Sequence, residues 1–134
     1  MADGDGIKRP GALRVSRQAA EFILEAAART YPDEFAGLLR KDASGTVCEV
    51  LLIPQTVFGE DFSSINLLNV GYTSGHCGSV HSHPCMSALP SDDDLEFFRR
   101  TGDVHIIVGY PFTPESMRAY DAMGERLLIE IARK

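Results

Sequence analysis

The order of elements along the chain predicts an α+β or three-layer domain built on a mixed, mainly antiparallel sheet. Three observations carry that reading. Two helical stretches alternate with groups of strand-like runs, the runs are β-branched or apolar and bounded by turn-forming residues, and 134 residues suit one compact core. A single domain over residues 1–134 is therefore expected, with residues 1–12 as a flexible start.

The first helix follows Ser16. Ala20, Ile23, Leu24, Ala27, Ala28 and Tyr31 recur at helical spacing, Ser16 suits an N-cap, and Pro32 is a stop. Residues 34–40 and 46–53 are short runs around Lys-Asp-Ala-Ser-Gly, a turn-forming cluster, so they predict a β-hairpin ended by Pro54. Residues 55–75 are mixed, with Gly59, Asn66, Asn69 and Gly71 among Ile65, Leu67, Leu68 and Val70. An irregular stretch of that length inside a compact domain is often functional.

Residues 77–83 predict a strand that Pro84 closes, and the two-residue period of a strand puts His81 and His83 on one face. Residues 90–102 predict the second helix. Ser91 is its N-cap, Asp92, Asp93 and Asp94 fill the first turn, Arg99 and Arg100 the last, and Gly102 stops it, with Leu95 and Phe98 facing the core. Residues 104–110, 115–121 and 125–132 complete the chain as three strands, the last two joined by a turn at Met123-Gly124.

Composition narrows the function. An apolar fraction of 44% and a charged fraction of 24% are ordinary for a globular protein, which argues against disorder or a fibrous repeat. A net charge of −6 with scattered basic residues argues against nucleic acid, whose binders carry a basic patch. No apolar run approaches the roughly 20 residues of a membrane span, and the acidic start does not read as a secretory signal. Cys48, Cys77 and Cys85 are odd in number and in no CxxC spacing, which fits a reducing compartment; a cytoplasmic protein is expected.

The chemistry concentrates in residues 81–94. Two histidines on one strand face and a carboxylate in the first turn of the next helix converge when the intervening loop returns the helix start to the strand end. Three such ligands with one open position are the donor set of a catalytic zinc site, whereas structural sites close with four protein ligands. Taken singly, a His-x-His pair is commonly just hydrogen-bonded, and three aspartates at a helix start are commonly dipole partners. Spacing alone leaves Asp92, Asp93 and Asp94 equivalent.

His81-Ser-His83-Pro, Asp94 and Ser91 three residues before it resemble the JAMM, or MPN-plus, metalloprotease motif. Glu34, in Pro-Asp-Glu-Phe-Ala-Gly-Leu-Leu after the first helix, matches the upstream glutamate which that family requires. The resemblance runs from about Leu13 to the C-terminus, includes His105-Ile-Ile-Val-Gly-Tyr-Pro, and is to the small stand-alone prokaryotic members. It implies an MPN/JAMM-like, cytidine-deaminase-like three-layer domain with two main helices. It assigns His81, His83 and Asp94 to one Zn2+ per chain, Glu34 as the general base for a zinc-activated water, and Ser91 as a hydrogen-bond donor to the oxyanion. His76 and His105 are then structural, Asp92 and Asp93 solvated, and Cys85 a loop residue beside the site.

The same resemblance implies hydrolysis of isopeptide or peptide bonds after the Gly-Gly tail of a ubiquitin-like or sulfur-carrier protein. Residues 57–70 are expected to hold that tail as an added strand. Two alternatives share the fold: release of cysteine from a sulfur-carrier adduct, and a non-catalytic MPN scaffold. Nothing in the sequence specifies the oligomeric state, and a homodimer is compatible with it. The His-x-Glu and Pro-Cys-x-x-Cys pattern of zinc nucleobase deaminases is not present.

Overall fold

The structure, a computed structural model, describes residues 11–53 and 76–133. The expectation for residues 55–75, with the tail-binding role of residues 57–70, lies outside the described residues, as does the start of the chain through residue 10. The elements are β1 (Ala12–Val15), α1 (Arg17–Thr30), β2 (Ala36–Lys41), β3 (Val47–Ile53), β4 (His76–His83), α2 (Asp92–Thr101), β5 (Val104–Gly109), β6 (Met117–Asp121) and β7 (Arg126–Ile131).

Both helices, the hairpin and the later strands form where the pattern places them. Ser16 caps α1 by accepting the Ala19 amide at 3.0 Å, and Ser91 caps α2. Three details differ. Glu34 and Phe35 precede β2 instead of opening it, and the 115–121 run divides into a single 3-10 turn, Pro114–Ser116, and β6. Ala28 in α1 and Tyr31 just after it are exposed, while Ala19, Ala20, Ile23 and Ala27 are buried. The periodic apolar stripe is thus narrower than the list of apolar residues.

The sheet is mixed, as expected, with the order β1-β3-β2-β4-β5-β6-β7, and it closes into a barrel. Closure comes from β1, which runs parallel to β7 over Ala12–Val15 and pairs with β3 through Val15 and Val47. β2 is antiparallel to both neighbours, β3 and β4. β4 and β5 are parallel because α2 carries the chain back between them, as a parallel pair requires.

β5 shows how the two helices divide the interior. All six of its residues are buried, so both faces must be covered. Val104, Ile106 and Val108 join Val80, Leu39, Ile23 and Ala27 in the cluster under α1. Ile107 packs on the other side with Phe98 of α2 and Tyr120 of β6. Phe97, unlike Leu95, is fully buried, so α2 contributes two adjacent phenylalanines to the interior.

The α2 side of the sheet also carries polar groups. His105 is fully buried, stacked on Phe98 at 4.2 Å between ring centroids. Its Nε2 lies 2.8 Å from the Gly102 carbonyl and its Nδ1 2.8 Å from Ser79 Oγ. A carbonyl only accepts, so Nε2 carries the proton and Nδ1 accepts from the Ser79 hydroxyl. His105 is therefore structural, and Ser79 is placed opposite it by the parallel register of β4 and β5.

Burial pulls the His105 imidazole down from 6.5 to about 4. The fold holds the neutral form, so between those two values the unfolded chain binds more protons and stability falls as pH drops. A shift of that size corresponds to at most about 3 kcal/mol. In metal-free protein the difference in unfolding free energy between the unaltered chain and His105→Gln, measured by urea denaturation, should shrink as pH falls from 6.5 to 4. A difference independent of pH would contradict it.

Candidate metal centre

The site forms where β4 ends and α2 begins. Along β4, Val80 joins the cluster under α1 while Ser79 turns to His105 on the opposite face. His81, two residues on from Ser79, and His83 share that second face, the one α2 covers. His81 is 1% exposed and His83 half-buried. Their Nε2 atoms lie 3.1 Å apart.

The helix supplies the third group through its cap. Ser91 Oγ accepts the Asp94 amide at 3.1 Å, and the Asp94 carboxylate accepts the Ser91 amide at 3.0 Å, closing a capping box. This reciprocal pair aims Asp94 back along the helix start. Its Oδ1 lies 3.2 Å from His81 Nε2 and its Oδ2 3.3 Å from His83 Nε2. Asp92 and Asp93 are exposed, so the fold separates three aspartates that spacing leaves equivalent.

These donors fit a divalent ion. One ligand atom from each of His81, His83 and Asp94 lies within 4.8 Å of the others. Tetrahedral coordination at about 2.0–2.1 Å puts neighbouring ligand atoms about 3.4 Å apart, close to the 3.1 Å between the two Nε2 atoms, while Asp94 turns one oxygen to each histidine at 3.2 and 3.3 Å. Two imidazoles and a carboxylate are borderline ligands of the kind zinc takes. The orientation of His83 is also suitable: Nδ1 donates to the Ser87 carbonyl at 3.1 Å, so the Nε2 lone pair faces the cluster.

Charge is arranged to match. Burial pushes the Asp94 carboxyl up, yet the hydrogen bonds from His81 and His83 outweigh it and hold the group well below the usual carboxylate range. Burial pulls His83 down, but its bonds to Asp94 and to the Ser87 carbonyl, with the Asp94 and Glu34 charges, raise it above 6.5. A cation in the cluster therefore competes with a proton at His83.

Glu34 is half-buried beside this cluster and outside the group of three. Its charge reaches His83. What holds it there is Ser82, which sits between the two histidines in sequence and is 1% exposed. The Phe35 amide donates to Ser82 Oγ at 2.8 Å, and the Ser82 amide donates to the Phe35 carbonyl at 2.9 Å. Ala36 is then in register with His81. Sequence reasoning missed Ser82; the available signal was its opposite-face position between two candidate ligands.

The other sequence candidates are not members of the group of three. His76 is half-buried at the start of β4, and Cys85 is an exposed free thiol in the loop after His83, as Cys48 and Cys77 are free and half-buried in strands. No helix among the described residues is long and apolar enough to cross a membrane.

Comparison with known proteins agrees with this geometry. The family of prokaryotic homologs of the JAB domain matches residues 16–122. A Haloferax volcanii protein named "Probable metalloprotease" is 39% identical over 120 residues, covering 83% of this chain and 74% of its own. A solved structure described as JAMM, a metalloprotease-like zinc site in the proteasome and signalosome, superposes with a TM-score of 0.72 at 33% identity, over 91% of this chain and 99% of the other. The crystal structure of a JAB1/MPN domain protein from Archaeoglobus fulgidus gives 0.71 at 33% identity, over 91% and 98%. With the family matched over most of its length and a His-His-Asp cluster in place, the chain belongs to the JAMM family as a small prokaryotic homolog of the JAB domain.

Proposed function

We propose that the chain is a zinc metalloprotease that cleaves isopeptide or peptide bonds after the C-terminal Gly-Gly of a ubiquitin-like or sulfur-carrier protein. The observation that carries the hydrolase reading is the convergence of His81, His83 and Asp94 next to Glu34, with Ser91 on the rim. The substrate class rests on the family resemblance. The same reading places the protein in the cytoplasm, which its three free cysteines favour.

His81, His83 and Asp94 would hold one zinc ion, which supplies a Lewis acid and lowers the pKa of a water towards about 7. Glu34 is the proton carrier: its carboxylate takes the proton of the attacking water and delivers it to the departing amine. The Ser82 clamp on Phe35 fixes the backbone next to Glu34, which stays outside the group of three donors. Ser91 has a hydroxyl to spare. Its oxygen accepts the Asp94 amide, which leaves the O–H proton available to an oxyanion on the exposed side of the site.

Two substitutions test these roles on a zinc-loaded protein with a diglycine isopeptide and, in parallel, a carrier–cysteine adduct. Glu34→Gln should bind zinc stoichiometrically while turnover falls by roughly 10²–10⁴-fold; retained turnover on whichever substrate is cut would remove Glu34 from the chemistry.

Ser91→Ala should lose roughly 10²–10³-fold in turnover for about 1 kcal/mol of stability, the value of a cap. A folded Ser91→Ala protein with unchanged turnover would leave Ser91 only its capping role.

A further inference from the structure

We infer that Tyr120 is a positioning residue for His83, acting through the backbone of the loop between β4 and α2. The inference rests on His83 being a metal ligand, as proposed above. Tyr120 lies on β6, outside every motif that marks the site in sequence.

The loop of residues 84–91 has little hold of its own. Met86 is 80% exposed and Leu89 71%, so beyond the packing of Ala88 on the Phe98–Ile107–Tyr120 cluster few apolar contacts fix it. Yet it must aim one carbonyl accurately, because the Ser87 oxygen accepts from His83 Nδ1 and so decides which nitrogen of that ring faces the cluster.

Three contacts, from β6, from β5 and from the residue that follows β5, provide the hold. The Tyr120 hydroxyl donates to the Ala88 carbonyl at 2.6 Å. The Tyr110 amide donates to the Cys85 carbonyl at 2.8 Å. Gly109, in register with His83, lets the loop lie against β5: a Cβ there would stand 2.9 Å from the Cys85 oxygen and 3.3 Å from the Ser87 oxygen.

Of these, the Tyr120 contact is anchored in the interior. The residue is 3% exposed, clusters with Ile107 and Phe98, and its ring stacks on Phe98 at 6.1 Å. Its hydroxyl is thus the end of a rigid strut. The Ser87 carbonyl belongs to the peptide plane immediately before the pinned one, and the two stiff planes are hinged only at the Ala88 Cα. Pinning the Ala88 carbonyl fixes one side of that hinge and so restrains the swing of the Ser87 oxygen away from His83.

The test is zinc affinity by chelator competition, together with the visible spectrum of the cobalt-loaded protein, for the unaltered chain, Tyr120→Phe and Gly109→Ala. Tyr120→Phe keeps the ring against Phe98 and removes only the hydroxyl. Its zinc dissociation constant should rise about tenfold, the lower end for outer-shell partners of metal ligands, with an altered cobalt spectrum. Gly109→Ala, which presses on the same loop from β5, should weaken zinc in the same direction. Leu128→Ala, on the exposed side of β7, should change neither.

A folded Tyr120→Phe protein with unchanged zinc affinity and cobalt spectrum overturns the inference, even with a lower Tm, since a hydroxyl that only stabilises the fold would move Tm alone. Should Tyr120→Phe not fold, Tyr120→Met, which also lacks the hydroxyl, decides by the same two readouts. An unaltered chain that binds no zinc would instead defeat the metal reading, and this inference with it.

Discussion

The Asp94 carboxylate joins the two halves of the site. One of its roles is local: as the third residue of α2 it satisfies the Ser91 amide, which a helix start would otherwise leave unpaired. The other is tertiary, since the same group faces both His81 and His83 from a neighbouring element. A buried carboxylate is costly unless compensated, and here the helix cap and two imidazoles share the compensation. Cap geometry and ligand geometry are consequently one arrangement.

The sheet determines what meets that carboxylate. β4 and β5 run parallel and α2 returns the chain between them, so the start of α2 comes back over the C-terminal end of β4. The antiparallel pairing of β2 with β4 brings residues 34–36 to the same end, and Ser82 fastens them there from the opposite face of the strand. Three separate stretches of sequence thus meet at one place for backbone reasons, before any ion is considered.

Much of this was legible in the sequence where the signal is local. The period of α1, the caps Ser16 and Ser91, and the two-residue spacing of His81 and His83 each depend on neighbours a few residues away. Asp94 was half legible: Ser91-x-x-Asp94 has the spacing of a capping box, which would have separated it from Asp92 and Asp93. Glu34 was not, because its approach to His83 depends on strand pairing between residues far apart, and only family resemblance selected it. β1 was missed since four residues alternating at Leu13 and Val15 carry too weak a pattern. Barrel closure was missed with it, because it joins the two ends of the sheet through that strand. Tyr120 had no local signal at all; its partner is a backbone carbonyl in a distant loop.

The central claim is that His81, His83 and Asp94 form one metal-binding unit. X-ray absorption at the zinc edge of the loaded, unaltered protein tests it most directly. The account predicts one zinc per chain with only nitrogen and oxygen neighbours, at about 2.0–2.1 Å. A shell at about 2.3 Å, the length of a zinc–thiolate bond, would bring a cysteine such as Cys85 into the site and contradict it.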